Sequence, residues 1–449
     1  MSTRRACRAG CCSRANPLGF APFVVRGTPM RKYFLAALAA VSTLAAAQPV
    51  HADTVRNGFS VERLARVDAL LDQYVKEEKI AGVVALVLRD GKPVYQRAVG
   101  WADKEAGRKM AMDTEFRIAS QSKALTSVAI LQLMEEGKLT VNDRAGKWIP
   151  TFEKTTVSTR NENGLGTSQL PAKRAITIKD LLTHSAGISY GMEPEIASAY
   201  EAKGLGPATG YGYYFSDKDE PICETMERLG TLPFVAQPGE KYVYGYNTDI
   251  LGCVVEKASG VTLDEFIRSH ITGPLGMKDT HFFLPPEKRE RFAAVYGSDS
   301  AGKAVRQPDT QKGQGHYVDG PRKSFSGGAG LVSTANDYAT FLEALRNGGA
   351  LGKVRILSPH AVQLMTTNQV GKLRGENSNG FGYGFETHDR YGASGMESVG
   401  SWGWGGAYGT YSRVDPAERL TTVVMIQLLP NNTDFRDKFS AAVYQALLD

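Results

Sequence analysis

Cysteine is scarce, five in 449 residues, and three of the five (Cys7, Cys11 and Cys12) crowd the amino-terminus. Cys223 and Cys253 alone remain in the body of the chain. Two are too few for a disulfide framework, and although an oxidising compartment permits one bridge, two free thiols are the expectation. The chain has no C-x-x-C, no H-E-x-x-H and no carboxylate-rich calcium loop, and its seven histidines are scattered, so neither a metal site nor an organic cofactor is expected. Long basic runs and fixed-period repeats are also missing. Met1 to Ala52 carries seven basic residues and no acid, so subtracting those seven from the chain's +6 leaves −1 for the remainder. A near-neutral body gives no electrostatic case for nucleic acid or an anionic membrane surface.

Apolar runs are short as well. Leu35 to Ala47 is about half of what a membrane span needs. Preceded by Met30-Arg31-Lys32 and followed by Val50-His51-Ala52, it reads as a secretory signal with a mature start near Asp53. Residues 1–52 are therefore expected to be leader, with Met1 to Pro29 an over-called start or an unstructured extension. The mature chain is expected to be periplasmic or secreted, without a stable membrane anchor.

What the chain does have is ample apolar content, 42%, for a sizeable core. Val61 to Lys79 places Leu64, Val67, Leu70, Leu71 and Tyr74 at helical spacing. Two apolar stretches, Val83 to Leu88 and Pro93 to Val99, flank Asp90-Gly91-Lys92, a strong hairpin signal. From about Glu115 to Lys288 the pattern is mainly helical, with loops at Asn161 to Ser168 and Tyr200 to Ser216. Strands return at Gly409 to Val414 and Leu420 to Gln427, and Asp434 to Leu448 closes as a helix. The expected fold is α/β (α+β): an antiparallel sheet flanked by terminal helices, built from 53–114 and 325–449, with a mainly helical insertion over 115–324.

Three segments carry chemistry. Ser120-Gln121-Ser122-Lys123 is an S-x-x-K at the start of the apolar helix Ala124 to Glu136. Three residues is nearly one turn, so the Lys123 amine can reach the Ser120 hydroxyl and act as its base, and the helix amino-terminus favours negative charge there. The alternative is an N-capping serine beside an exposed lysine. Ser300-Ala301-Gly302-Lys303 matches the same pattern but lies in a loop with no following apolar helix, an accidental match. Tyr244, in a Tyr-rich turn ahead of Ile250-Leu251, offers a phenol to shuttle the serine's proton, or simply a packed aromatic. In Ser401-Trp402-Gly403-Trp404-Gly405-Gly406-Ala407-Tyr408-Gly409-Thr410, glycines let another group approach the backbone closely, or simply form an aromatic and glycine turn at a sheet edge; a substrate carbonyl is the group the first reading expects. The Ala407 and Ser120 N–H groups would then form an oxyanion hole. Gly187-Ile188-Ser189-Tyr190-Gly191 fits the G-x-S-x-G nucleophile elbow, but a helical pattern precedes it where that motif needs a strand.

Together these segments resemble the serine β-lactamase and penicillin-binding superfamily, and most closely its class C-like branch with the family VIII carboxylesterases. Thr177-Ile178-Lys179-Asp180-Leu181-Leu182-Thr183-His184-Ser185-Ala186-Gly187, Tyr244-x-x-x-x-Asp249-x-Leu251-Gly252, Ser326-Gly327-Gly328-Ala329-Gly330-Leu331 and Trp404-Gly405-Gly406 extend the likeness over nearly all of Val61 to Leu448. It implies an acyl-enzyme on Ser120, proton transfer through Lys123 and Tyr244, and Ser120 and Ala407 as amide donors. Candidate substrate contacts are Trp404, Gly405, Gly406, Gln121 and Tyr246. Two departures bear on substrate: Tyr246 stands where class C β-lactamases have Asn, and K-[ST]-G is absent, Trp404-Gly405-Gly406 taking its place. An apolar ring instead of a lysine points to small or medium uncharged esters, with weak β-lactam hydrolysis as a side activity. The alternatives are a β-lactamase, a D-amino-acid amidase or peptidase, an acyltransferase, or a non-catalytic cell-wall binding module. The partner is a small ester or amide.

Overall fold

The computed structural model describes residues 54–160, 167–206 and 215–449, so the expected leader lies outside the described residues. Asp90 and Gly91 both adopt positive φ (51° and 71°), the backbone of a two-residue turn whose twist matches its flanking strands. Those strands are β1 (Gly82–Arg89) and β2 (Lys92–Asp103), with Arg89 opposite Lys92. Every residue of β1 is buried. Its side chains divide by period two: Val83, Ala85 and Val87 enter one apolar cluster, Val84, Leu86 and Leu88 another. A strand with both faces covered needs a layer on each side.

One layer is terminal. Helix α1 (Val61–Lys76) turns Leu64, Val67, Leu71 and Tyr74 inward. Ser60 caps its start by accepting the Arg63 N–H at 3.1 Å. It ends before the anticipated Lys79, because Glu78 takes φ +56°, the left-handed turn that closes helices. The other layer begins with α2 (Ser122–Glu135), buried on nearly every side, followed by α3 (Ile178–Leu182), α4 (Asn247–Ser259) and α5 (Ala335–Arg346). The chain then returns to the sheet with β3 (Gly380–Phe381), β4 (Glu386–Thr387), β5 (Trp402–Gly405), β6 (Tyr411–Asp415) and β7 (Leu420–Met425), and α6 (Phe435–Tyr444) packs beside α1. The sheet runs β3-β4-β5-β6-β7-β1-β2 and ends on the short Arg108–Lys109 strand, each neighbour antiparallel.

The stretch 115–324 is less purely helical than its pattern suggests. Thr156–Arg160 pairs with Thr167–Pro171 and Pro233–Phe234, and Tyr296–Ser298 with Ala304–Arg306. The expected loop at Asn161 to Ser168 thus ends in a strand; residues 161–166 lie outside the described residues, as do 207–214 of the second loop. The two thiols expected to be free are joined instead. Cys223, on the helix Ile222–Leu229, is bonded to Cys253 on α4. Packing of those helices brings their Cα atoms to 4.9 Å, within disulfide reach, a proximity that a separation of 30 residues does not encode. Among the described residues no helix is long and apolar enough to cross a membrane, and no cluster could hold a metal ion.

Candidate active site

Strand Phe116–Arg117 pairs with Val332–Ser333 and delivers the chain to Ser120. Ala119 takes φ +43°, a left-handed conformation that costs an L-residue roughly 1–2 kcal/mol and recurs at functional positions. Ser120 then sits in the single turn Ala119–Gln121 that leads into α2. One turn on, Lys123 is wholly buried. Its Nζ lies 3.4 Å from Ser120 Oγ, 3.2 Å from Tyr190 Oη and 2.7 Å from the Gly328 carbonyl oxygen, and 4.7 Å from the centre of the Tyr244 ring. The bond to Ser120 is the longest, as resting sites often show.

Tyr244 occupies the turn before α4. The indole Nε1–H of Trp404 donates to its oxygen at 3.2 Å. Its ring rests on the His184 imidazole, centroids 4.6 Å apart. Burial, then the charges of Lys123 and Arg374, push the His184 pKa well below its ordinary range, so the ring is neutral. The Asn247 amide donates to Ile188 O at 3.1 Å and faces His184 Nδ1 at 3.0 Å, which makes that nitrogen the acceptor.

Behind Lys123 lies Asp249, fully buried on α4. It accepts the Ser326 hydroxyl and, at 3.1 Å, the Gly328 N–H. Burial raises its carboxyl pKa, against the charge of Lys123 and those two hydrogen bonds. Gly328 therefore holds Asp249 with its N–H and Lys123 with its carbonyl. A Cβ at Gly328 would lie 2.4 Å from Asp249 Oδ2, so only glycine admits that approach.

The third segment completes one wall. Gly406 N–H donates to Thr410 O at 2.7 Å and Gly409 N–H to Gly406 O at 2.9 Å, forming a turn with Ala407 at its exposed tip. Together with Ser120, Tyr244, Trp404, Gly405 and Gly406, Ala407 lines a cavity of about 520 Å³. Tyr190, Met192, Tyr317, Tyr408, Tyr411 and Leu429 give it an aromatic and apolar lining. Two charged residues face it, and each is already paired. Glu386 meets Arg374 at 3.0 Å and Arg413 at 3.2 Å, while Arg436 meets Asp437 at 2.9 Å.

Two candidate substrate contacts stand elsewhere. Gln121 is fully buried, its amide donating to Ser412 Oγ at 3.0 Å against β6 within the sheet. The next position along a helix turns about a quarter circle away, which takes Gln121 off the face that Ser120 presents. Tyr246 is also fully buried, accepting the Gly206 N–H at 3.0 Å and packing edge-on against Tyr190. It supports the wall from behind. Tyr190, the lining residue nearest Lys123, lies inside the G-x-S-x-G that was set aside for its serine. Ser189 itself is buried in a turn, donating to Glu193 at 2.6 Å and accepting from Gly191 N–H. Ser300 and Lys303 belong to a hairpin turn. Tyr317 and Tyr408, tyrosines in loops, carry no sequence signal of their place in the lining, whereas for Tyr411 the strand pattern of β6 was the available signal.

Comparison with known proteins follows the same outline. The family model described as Beta-lactamase matches residues 67–447. Esterase EstB of Burkholderia gladioli is 32% identical over 377 residues, 80% of this chain and 89% of that protein. Among solved structures, "EstCE1, a hydrolase with promiscuous acyltransferase activity" superposes with a TM-score of 0.70 at 25% identity, covering 86% of this chain and 99% of that one. The simvastatin synthase LovD of Aspergillus terreus shares the fold, with a TM-score of 0.70 at 24% identity over 86% of this chain and 98% of that one.

Proposed function

Since the chain belongs to the β-lactamase family of serine hydrolases, we propose that it is a carboxylesterase acting on small or medium uncharged esters through an acyl-enzyme on Ser120. The observation that carries this reading is the cavity lining. It is mainly aromatic and apolar, its two charged residues each have an ion-pair partner, and the indole of Trp404 forms part of the wall. An uncharged ester's hydrocarbon finds extensive apolar surface on that wall.

In the proposed reaction Ser120 Oγ bonds to the ester carbonyl carbon while its proton passes to the Lys123 and Tyr244 pair. The two groups share the role of base. The oxyanion is received by the N–H groups of Ser120 and Ala407. Collapse breaks the bond to the alcohol oxygen, which takes the proton from Tyr244. Water then attacks the acyl carbon, gives its proton back through the same pair, and releases the acid with Ser120 restored. Acyl transfer to an alcohol in place of water is a second reading, favoured by the similarity to EstCE1, a hydrolase with promiscuous acyltransferase activity.

We also place the mature protein outside the cytoplasm, a reading supported by the Cys223–Cys253 bridge. Its amino-terminus should then be found near Asp53 when the exported protein is sequenced. The substrate class is tested by kcat/KM for a butyrate ester, a cephalosporin and a D-Ala-D-Ala peptide on one preparation. The ester should lead, and Ser120→Ala should abolish turnover while Ser189→Ala leaves it. An ester value far below the other two would reject the esterase, and full activity in Ser120→Ala would reject the nucleophile.

A further inference from the structure

We infer that Trp404 is a positioning residue for Tyr244, acting through its indole N–H, and not simply an apolar wall for substrate. The inference rests on the proposed role of Tyr244 but not on which substrate is cleaved.

An indole can only donate. At 3.2 Å from the phenol oxygen, it obliges Tyr244 to accept, so the phenol's own hydrogen is directed away from Trp404. That leaves the hydrogen free for the cavity side, where Ser120 and the departing alcohol lie. The same donor gains strength when the phenol becomes a phenolate, because hydrogen bonds to an ionised acceptor are roughly twice as strong as neutral ones. Trp404 thus favours the state in which Tyr244 has just released its proton, and it brings no fixed charge into the cavity.

The indole is itself held in place. Its backbone is locked in β5, with Trp404 opposite Ser412 of β6. Its ring meets Phe381 edge-on at 5.2 Å and lies 5.7 Å from the Tyr244 ring. The Arg374 guanidinium sits 5.8 Å from its centre on a side chain already committed to Glu386. A donor fixed from three sides loses little freedom when it engages the phenol.

A double-mutant cycle on Trp404→Phe and Tyr244→Phe tests the inference. The readout is the second-order rate at which a fluorophosphonate labels Ser120, which needs no knowledge of the natural substrate. Trp404→Phe keeps the ring and removes the N–H, and should slow labelling by about tenfold, the scale of one hydrogen bond. In the Tyr244→Phe background the same change should have almost no further effect. If the two losses multiply, or if Trp404→Phe labels as fast as the unaltered protein, Trp404 does not act through the phenol and the inference is overturned. Should Trp404→Phe lower Tm markedly, Trp404→Leu takes its place in the cycle with the same two outcomes. Labelling that is already independent of Tyr244 would overturn the proposed role of Tyr244 instead, and the single variant reports this separately.

Discussion

Gly406 has no room for a side chain: a Cβ there would lie 2.4 Å from the Ile118 carbonyl oxygen and 2.3 Å from Thr410 Oγ1. The first of these neighbours is backbone, two residues ahead of Ser120, so it cannot step aside without moving the serine. Gly406→Ala should therefore separate the Ala407 amide from Ser120 and lower kcat/KM by about 100-fold, since misplacement by about 1 Å is enough for that. Steady-state kinetics beside circular dichroism will check it; unchanged kcat/KM would mean that the segment can shift freely. At this scale the sequence was informative where chemistry has a local spacing. Ser120 and Lys123 are one turn apart in any helix; Ser120 lines the cavity, and the buried Lys123 amine reaches its hydroxyl at 3.4 Å. Gln121 lies off the face because one step along a helix turns a side chain away, and Tyr246, which stands in the motif place of the class C asparagine, is buried behind Tyr190 instead of facing the cavity.

Helix α4 joins two motifs that read as separate along the chain. Asp249, five positions after Tyr244, grips the loop Ser326-Gly327-Gly328 across 77 residues of sequence, and that loop's carbonyl holds Lys123. Asp249→Ala would strand the Gly328 N–H and the Ser326 hydroxyl inside the core. An expected loss of about 1–3 kcal/mol in stability follows, accompanied by a fall in kcat as Lys123 loses its anchor. Asp249→Asn keeps an oxygen in the same place. Because burial already disfavours the ionised carboxylate, this variant should retain most of the stability that the alanine variant loses. Urea melts of both, read with kcat, distinguish them; equal damage would show that the charge, and not the acceptor, is what matters. Elements with strong periodicity were legible, among them the hairpin at Asp90-Gly91, α1, α2 and α6. The strands Gly380–Phe381 and Glu386–Thr387 were not, because two residues carry no period. Neither was Thr167–Pro171, a polar, exposed strand that lacks the apolar face by which strands are recognised.

Over the whole molecule, apolar pattern places the sheet at the two ends of the chain and the helices between, but it says nothing of the charges buried where they meet. Glu115 sits at that crossing, just before the strand that leads to Ser120, and is fully buried with neither carboxylate oxygen hydrogen-bonded. Lys288 and Arg291 stand 3.9 and 3.8 Å away, and Asp279, His281 and Asp337 complete the cluster. Burial pushes the Glu115 carboxyl up to about 8 from 4.5, with Lys288 opposing and Asp279 adding. In the unfolded chain Glu115 is deprotonated above its ordinary value, while in the folded chain it keeps its proton to about 8. The folded state binds more protons between those limits, so stability falls as pH rises, by up to about 1.4 kcal/mol per unit. His281 works in the other direction, since burial and Lys288 bring it down to about 4 from 6.5. Its contribution rises with pH between those values and is complete above 6.5, leaving Glu115 unopposed by His281 from there to about 8. Glu115→Gln cannot ionise. Its Tm should approach that of the unaltered protein near pH 4.5 and exceed it by a margin that widens toward pH 8 and then levels off. Calorimetry of both proteins at half-unit steps measures that margin; one that stays constant across the range would mean that Glu115 does not titrate there.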